Sequence, residues 1–114
     1  MVSDQYIAGF FDGEGTIYLE KTKKLWRFSI CQSEREILEE IKESLGCGYV
    51  HSRKKWKDNN HFGNKEMFIY YVNYQQDVIA VIKRIIPYSR VKKHKLQEAM
   101  EFLENREWHW NYKL

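Results

Sequence analysis

Two carboxylates near the N-terminus are the residues best placed for chemistry. In the stretch IAGFFDGEG, residues 7–15, Asp12 and Glu14 lie on either side of Gly13. If a helix ends here, its free carbonyl groups and these carboxylates form a negative cluster that attracts a divalent cation. Such oxygen ligands suit Mg²⁺, which usually keeps several bound waters. The residues alone leave a second interpretation open, in which Asp12 caps a tight turn and Glu14 is merely exposed.

Glycine spacing gives the same stretch a second property. Gly9 and Gly13 are four residues apart and Ala8 adjoins Gly9, so one side of the helix carries little side-chain bulk. A second helix backbone can approach such a surface closely. If that helix belongs to another copy of the chain, two-fold symmetry brings two Glu14 carboxylates together, which is unfavourable without cations between them.

Caps, periodicity and breakers predict the elements that must position this stretch. Ser3 caps a first helix that ends at about residue 12 or 13, and strict alternation predicts a hairpin over residues 16–31. Its core face comprises Ile17, Leu19, Phe28 and Ile30. Ser33 and Glu36 form a capping box for a helix that Gly46 ends.

The second half repeats part of this pattern. A second hairpin is predicted over residues 48–73, followed by helices over residues 77–86 and 90–106, with Pro87 between them. The order is α-β-β-α-β-β-α-α. The length of 114 residues suits one domain with one core.

Charge is unevenly distributed along the chain. Residues 1–47 hold six basic and nine acidic side chains, whereas residues 48–114 hold thirteen basic and seven acidic ones. The basic excess is concentrated between Arg53 and Lys95, which suggests a positive surface able to meet phosphates. A solvated charged face is the alternative explanation.

Other compositional features limit the remaining classes. Cys31 and Cys47 lack metal-site spacing and are expected to be free thiols in a reducing compartment. No apolar run is long enough to span a membrane, and no signal peptide is evident. The sequence therefore predicts a soluble intracellular protein with no membrane partner and no small-molecule cofactor.

The motif at residues 7–15 resembles the nine-residue motif of the LAGLIDADG homing endonucleases and keeps an acid at the eighth position. The similarity continues in register through FSICQSERE, LGCGYV and IIPYSRVKKHKLQEA, so it covers roughly residues 5–100. It implies an α+β fold of αββαββα type, with a four-stranded antiparallel saddle sheet and helices on one face. It also implies a homodimer interface formed by the motif helices, with Ala8, Gly9, Asp12 and Gly13.

The resemblance implies roles for individual site residues. Glu14 would bind catalytic Mg²⁺ with the carbonyl of Gly13, and Gln32 would position water or metal around the scissile phosphate. Lys92 would stabilise the phosphate or orient the attacking water, although the neighbouring Lys93 fits if the register shifts by one. Arg35 is a weaker candidate.

The resemblance also implies that outward residues of the strands enter the DNA major groove, where a β-ribbon fits. Alternation then selects the base-contacting candidates Tyr18, Glu20, Lys24, Arg27, Ser29, Tyr49, His51 and Arg53. The phosphate-contacting candidates are Lys54, Lys55, Lys57 and Lys65.

The implied function is a site-specific endonuclease that uses Mg²⁺ to hydrolyse both strands of a long, roughly palindromic double-stranded DNA target. A single motif in the chain predicts that it acts as a homodimer. The alternative is a non-cleaving nucleic-acid-binding module such as an intron-splicing maturase. A plain protein-interaction domain would explain the glycine-spaced helix but not the basic segments.

Overall fold

A computed structural model describes residues 1–53 and 66–105. Its helices and strands confirm the predicted order: α1 (Asp4–Glu14), β1 (Gly15–Glu20), β2 (Leu25–Gln32), α2 (Arg35–Leu45), β3 (Tyr49–Arg53), β4 (Met67–Val72), α3 (Gln75–Ile85) and α4 (Lys93–Asn105). None of the helices in these two ranges is long and apolar enough to cross a membrane.

The four strands form one antiparallel sheet in the order β1-β2-β4-β3. Each hairpin contributes an edge strand and a central strand, and β2 pairs with β4 in the middle. In this register Phe28 lies opposite both Ile17 and Val72, so the alternating positions of neighbouring strands form continuous rows. The sheet therefore has two distinct faces.

One face of the sheet forms the core with the helices. Ile17, Phe28 and Ile30 are buried as predicted, whereas Leu19 is only partly buried. The Phe11 ring of α1 stacks on the Phe28 ring with centroids 4.7 Å apart. All four helices contribute residues to this core. The alternate side chains of the strands lie on the opposite face of the sheet, which we call the outer face.

Helix α1 begins as predicted but continues further. The Ser3 hydroxyl accepts a hydrogen bond from the Tyr6 N–H at 3.1 Å, and the helix continues through Gly13 to Glu14. The predicted end near residue 12 or 13 is therefore too early. Strand β1 starts at Gly15, directly after the last residue of α1, so no linker separates the helix from the sheet. A Cβ atom at Gly15 would overlap the Phe11 ring.

Three further predicted boundaries need correction. Helix α3 begins at Gln75, two residues before its predicted start. The N-cap of α2 is Glu34 rather than Ser33, and no side-chain hydrogen bond caps it, because Ser33 is instead hydrogen-bonded to Gln32. Gly46 ends α2 as predicted, and it does so in the left-handed conformation with φ of 76°. Helix α4 begins at Lys93, three residues later than expected.

The segment before α4 is held by a single carboxylate. Asp12 Oδ1 accepts from the Ser89 hydroxyl at 2.5 Å and from the Lys92 N–H at 3.2 Å, and Asp12 Oδ2 accepts from the Arg90 N–H at 2.6 Å. We call these contacts the Asp12 clasp. Burial raises the pKa of Asp12, but the hydrogen bonds from Arg90, Ser89 and neighbouring amides outweigh it, so the pKa is lowered overall.

We expect Asp12→Asn to lower the free energy of unfolding by about 1 to 2 kcal/mol, because an amide nitrogen cannot accept the backbone hydrogen bonds. Since the pKa of Asp12 is lower in the folded chain, the stabilisation is complete above the ordinary value of 3.8 and is lost as the pH falls below it. Urea unfolding at pH 7 and pH 3 measures both effects.

Glu36→Gln is the control for removing one acidic charge, because Glu36 is exposed on α2 and lies outside the clasp. An Asp12→Asn variant as stable as wild type at pH 7 would show that the clasp does not hold the segment.

Candidate active site

Glu14 lies where the two main parts of the fold meet. It is the last residue of α1, it is exposed, and β1 begins at the next residue. Gly13 is also exposed, and its carbonyl is one of the last four carbonyl groups of the helix. These groups have no N–H partner within the helix. The helix end therefore offers a carboxylate and a carbonyl oxygen, which are ligand types that Mg²⁺ accepts.

One chain presents few protein ligands for a metal. Within residues 1–53 and 66–105, no group of three or more His, Cys, Asp or Glu side chains is close enough to hold an ion. Glu14 and the Gly13 carbonyl fit a site that is completed by water and by ligands from outside this chain. This is the arrangement expected if Mg²⁺ keeps several of its waters.

Lys92 lies against the same helix end. Its Nζ donates to the carbonyl oxygens of Phe11 at 3.2 Å and Asp12 at 3.1 Å, and it lies 5.6 Å from the centre of the Phe11 ring. A cation here offsets the negative end of the helix dipole. The clasp fixes the Lys92 backbone, so the side chain approaches α1 in a defined position.

The neighbouring lysine is placed differently. Lys93 is the first residue of α4 and is exposed, and it lines a surface concavity with Gly9, Pro87 and Arg90. The ammonium group that contacts the end of α1 is that of Lys92. Lys92 is thus held at the end of α1 that carries Glu14, and its catalytic role stays a prediction.

Cys31 is a residue near Glu14 and Arg53 that sequence reasoning did not select. It lies on the outer face of β2 and is partly exposed, rather than being a core thiol. Burial raises the pKa of the Cys31 thiol, and the charge of Glu14 raises it further. The charge of Arg53 and a hydrogen bond with Arg53 both lower this pKa. Both charges therefore act at Cys31. The alternation that places Ser29 outward also places Cys31 outward and could have revealed it.

Gln32 and Arg35 have local partners. Gln32 follows the parity of Ile30, which places it on the helix side of the sheet, and its Oε1 accepts from the Ser33 N–H at 2.8 Å. Arg35 forms an ion pair with Glu39 at 3.2 Å and lies over the Phe68 ring. Neither contact directs the side chain to Glu14, so catalytic roles for both remain predictions.

The outer face carries most of the predicted DNA-contacting residues. The register places Tyr18 opposite Arg27, and Ser29 in one row with Tyr71 and Tyr49. A further row contains Cys31, Ile69 and His51, and Arg53 follows His51 on the edge strand. The outward positions predicted on the strands of both hairpins are thus confirmed, with the exception of Lys24. Their contact with DNA stays a prediction.

Some candidates on this face have partners or lie elsewhere. Glu20 and Arg27 form an ion pair with 2.5 Å between Arg27 Nη2 and Glu20 Oε1, and hydrogen bonds from Arg27 and Thr22 lower the pKa of Glu20. Lys24 lies in the turn between β1 and β2 with φ of 57°, not on a strand. The predicted phosphate contacts Lys54, Lys55, Lys57 and Lys65 lie outside the described residues.

The glycine-spaced surface of α1 is exposed but smaller than predicted. Gly9 and Gly13 face open space, with no atom within 4 Å of an added Cβ. Ala8, in contrast, is completely buried in the chain's own core, so its assignment to a dimer interface is wrong. It lies three residues before Phe11 and therefore on the core face of the helix. The Asp12 carboxylate is bound within its own chain.

Comparisons with known proteins agree with this arrangement. The family profile described as LAGLIDADG endonuclease matches residues 7–104. No curated protein matches the sequence. Among solved structures, the homing endonuclease I-CvuI, complexed with the I-CreI target in 2 mM Mg with the DNA not cleaved, is 20% identical with a TM-score of 0.69. That match covers 89% of this chain and 65% of that chain.

Two other structures are similarly related. The archaeal intron-encoded homing endonuclease I-Vdi141I, complexed with DNA, is 25% identical with a TM-score of 0.67 over 89% of this chain and 66% of its own. The LAGLIDADG meganuclease I-AabMI, bound to uncleaved DNA, is 24% identical with a TM-score of 0.66 over 93% of this chain and 39% of its own.

The chain thus spans 65% and 66% of the length of I-CvuI and I-Vdi141I. The profile match includes most of the motif helix, both hairpins and most of α4. With the motif acid exposed at the end of α1 and the four-stranded sheet beside it, the chain belongs to the LAGLIDADG endonuclease family.

Proposed function

We propose that this chain is a site-specific endonuclease that cleaves double-stranded DNA as a homodimer, with Mg²⁺ bound at Glu14. The observation that carries the proposal is the position of Glu14. It ends the helix whose exposed glycines can pack against a second copy, and it directly precedes the first strand of the sheet. A substrate lying across the outer face would therefore pass next to the metal-binding acid.

The outer face supports duplex DNA as the substrate. Two antiparallel hairpins side by side present rows of outward side chains, and a β-ribbon fits the major groove. His51 and Arg53 are exposed on the edge strand β3, and Arg27 is held by Glu20 with its guanidinium on the same face. The related structures of I-CvuI, I-Vdi141I and I-AabMI contain DNA.

The candidate site fits phosphodiester hydrolysis without a covalent intermediate. Glu14 and the Gly13 carbonyl would hold Mg²⁺, which, when bound, activates water and stabilises the leaving oxygen. The Lys92 ammonium has three donors, two of which contact α1 carbonyls, so the third is available to a phosphate oxygen. Arg53, which is hydrogen-bonded to Cys31, supplies a second positive charge on the outer face of the sheet.

Homodimer formation follows from what one chain lacks. A single chain presents one motif acid, whereas cleavage of both strands requires two such sites. The helical glycines Gly9 and Gly13 are not needed for packing within the chain, because a side chain at either position would meet only open space. Contact with a second backbone would explain them. I-AabMI is more than twice as long as the portion matched, so it has room for two such units.

We expect Glu14→Gln to bind the target DNA with near wild-type affinity and to reduce the cleavage rate by at least about a hundredfold, because the amide is a much poorer Mg²⁺ ligand. The target is first selected from a randomised duplex library and cloned into a supercoiled plasmid. The rate of plasmid nicking in Mg²⁺ and the affinity for the target duplex in Ca²⁺ are then measured for wild type and Glu14→Gln.

Glu36→Gln serves as the matched control, since it removes the same charge from an exposed position on α2. Undiminished cleavage by Glu14→Gln would remove Glu14 from the metal site. Tight binding without cleavage by the wild-type chain would instead favour the non-cleaving module.

For Gly9 we expect opposite effects on folding and association. Gly9→Ala should raise the free energy of unfolding of the isolated chain by about 0.5 to 1 kcal/mol, because alanine is the better helix former and has room here. Gly9→Leu should abolish the dimer, because the side chain would hold two helices apart. Sedimentation velocity measures association, and urea unfolding at low concentration measures stability.

Glu40→Ala, on an exposed part of α2, controls for a change of surface composition. Dimerisation of Gly9→Leu with wild-type affinity would place the interface elsewhere on the chain.

We expect Lys92→Met to lower kcat by about 10²- to 10³-fold with a smaller change in KM, because it removes a preorganised donor at the scissile phosphate. Lys93→Met should leave kcat within a few-fold of wild type. Single-turnover cleavage at saturating enzyme separates the two lysines. A larger loss of kcat in Lys93→Met than in Lys92→Met would show that Lys93, and not Lys92, corresponds to the family's active-site lysine.

A further inference from the structure

Strand β4 differs from its neighbours in the side chains it presents on the outer face. Its three outward residues, Met67, Ile69 and Tyr71, are all apolar or aromatic and partly exposed. We call them the β4 apolar row. On its edge neighbour β3, exposed His51 lies opposite Ile69 and exposed Arg53 lies opposite Met67, whereas Tyr49 lies opposite Tyr71.

Two residues of this row, Ile69 and Tyr71, line a concave part of the outer face. Ile69 is flanked by Cys31 across β2 and by His51 across β3. His51, Arg53, Ile69 and Tyr71 line one surface concavity, and the Tyr71 ring packs beside the Tyr49 ring with centroids 5.5 Å apart. Ile69 is therefore an aliphatic side chain that lies between the thiol of Cys31 and the imidazole of His51 in one row of the sheet.

The chemistry of the major groove limits what such a row can contact. Base edges there offer hydrogen-bond donors and acceptors, and the 5-methyl group of thymine is the largest apolar group among them. Pressing an aliphatic side chain against a polar base edge leaves that edge without its water, which costs free energy. An apolar row facing the groove is therefore best matched by thymine.

We propose that the β4 apolar row makes this chain select thymine in its target, with Ile69 contacting a thymine 5-methyl group. Ile69 has the best geometry because it is β-branched and stiff, and because Cys31 and His51 fix its position in the sheet. This inference rests on the proposed DNA-binding function and specifies the sequence class that the central strands read.

The test begins with selection of bound duplexes from a randomised library by the wild-type chain in Ca²⁺. Each selected thymine is then replaced singly by deoxyuridine, which removes only the methyl group. We expect about a fourfold loss of affinity at one thymine in each half-site, the size of one buried methyl. For Ile69→Ala, the affinity for the duplex with thymine at that position, divided by the affinity for the duplex with deoxyuridine there, should fall to about one. The same affinity ratio at the other thymines should stay as in wild type.

Two control variants make the result specific. Ile69→Val keeps a branched aliphatic surface and should preserve the uracil effect, and Thr16→Ala changes an exposed outward residue of β1 and should leave that position unaffected. Far-ultraviolet circular dichroism confirms that each variant is folded.

A wild-type chain that binds its selected duplex without any sensitivity to uracil would overturn thymine reading while leaving DNA binding intact. An unchanged ratio in Ile69→Ala would overturn the assignment to Ile69. Failure to select any duplex would overturn the proposed function itself, and this inference with it.

Discussion

The arrangement of the candidate site depends on one carboxylate that receives several hydrogen bonds. Asp12 accepts from a hydroxyl and from backbone amides of the segment before α4, and these contacts join two parts of the chain about eighty residues apart in sequence. The joined segment carries Lys92, whose ammonium then covers carbonyls of the same helix turn. The clasp thus acts with the amides of Lys95 and Leu96, which donate to the Lys92 carbonyl, to hold this lysine at the end of α1.

This interaction separates the roles of the two acids in the motif. Asp12 is committed to its own chain, and the hydrogen bonds that lower its pKa keep it ionised. Glu14 is exposed at the end of the helix, where we propose that it binds a cation. The sequence alone offered both acids as ligands or as turn residues, and hydrogen-bond partners eighty residues away distinguish them. Such partners cannot be inferred from local spacing.

Local physics predicted the elements well. Alternation, the Ser3 cap and the left-handed Gly46 are determined by neighbouring residues, so the order of elements and the outward positions of Tyr18 and Arg27 followed directly. Predictions failed where a tertiary contact competes with a local signal. Ser33 could cap α2 but is bound to Gln32, and Ala8 is small enough for an interface but packs in the core.

Strand β4 shows a different limit of sequence reasoning. Its six residues, MFIYYV, are apolar on both faces, so alternation of polarity could not show which side chains point outward. Only the pairing of β4 with β2 and β3 assigns Ile69 and Tyr71 to the outer face. The basic residues 54, 55, 57 and 65 were conspicuous in the sequence and still lie outside the described part of the chain.

The absence of a linker between α1 and β1 has a consequence for how such an enzyme can change its target. In the proposed dimer, the distance between the two cut phosphates is set by the backbones of the paired helices, because Glu14 is rigidly continuous with them. Base preference depends on side chains further along the strands. Substitutions on the outer face can therefore retarget the protein without altering the stagger of the two cuts, so recognition and cleavage can evolve separately.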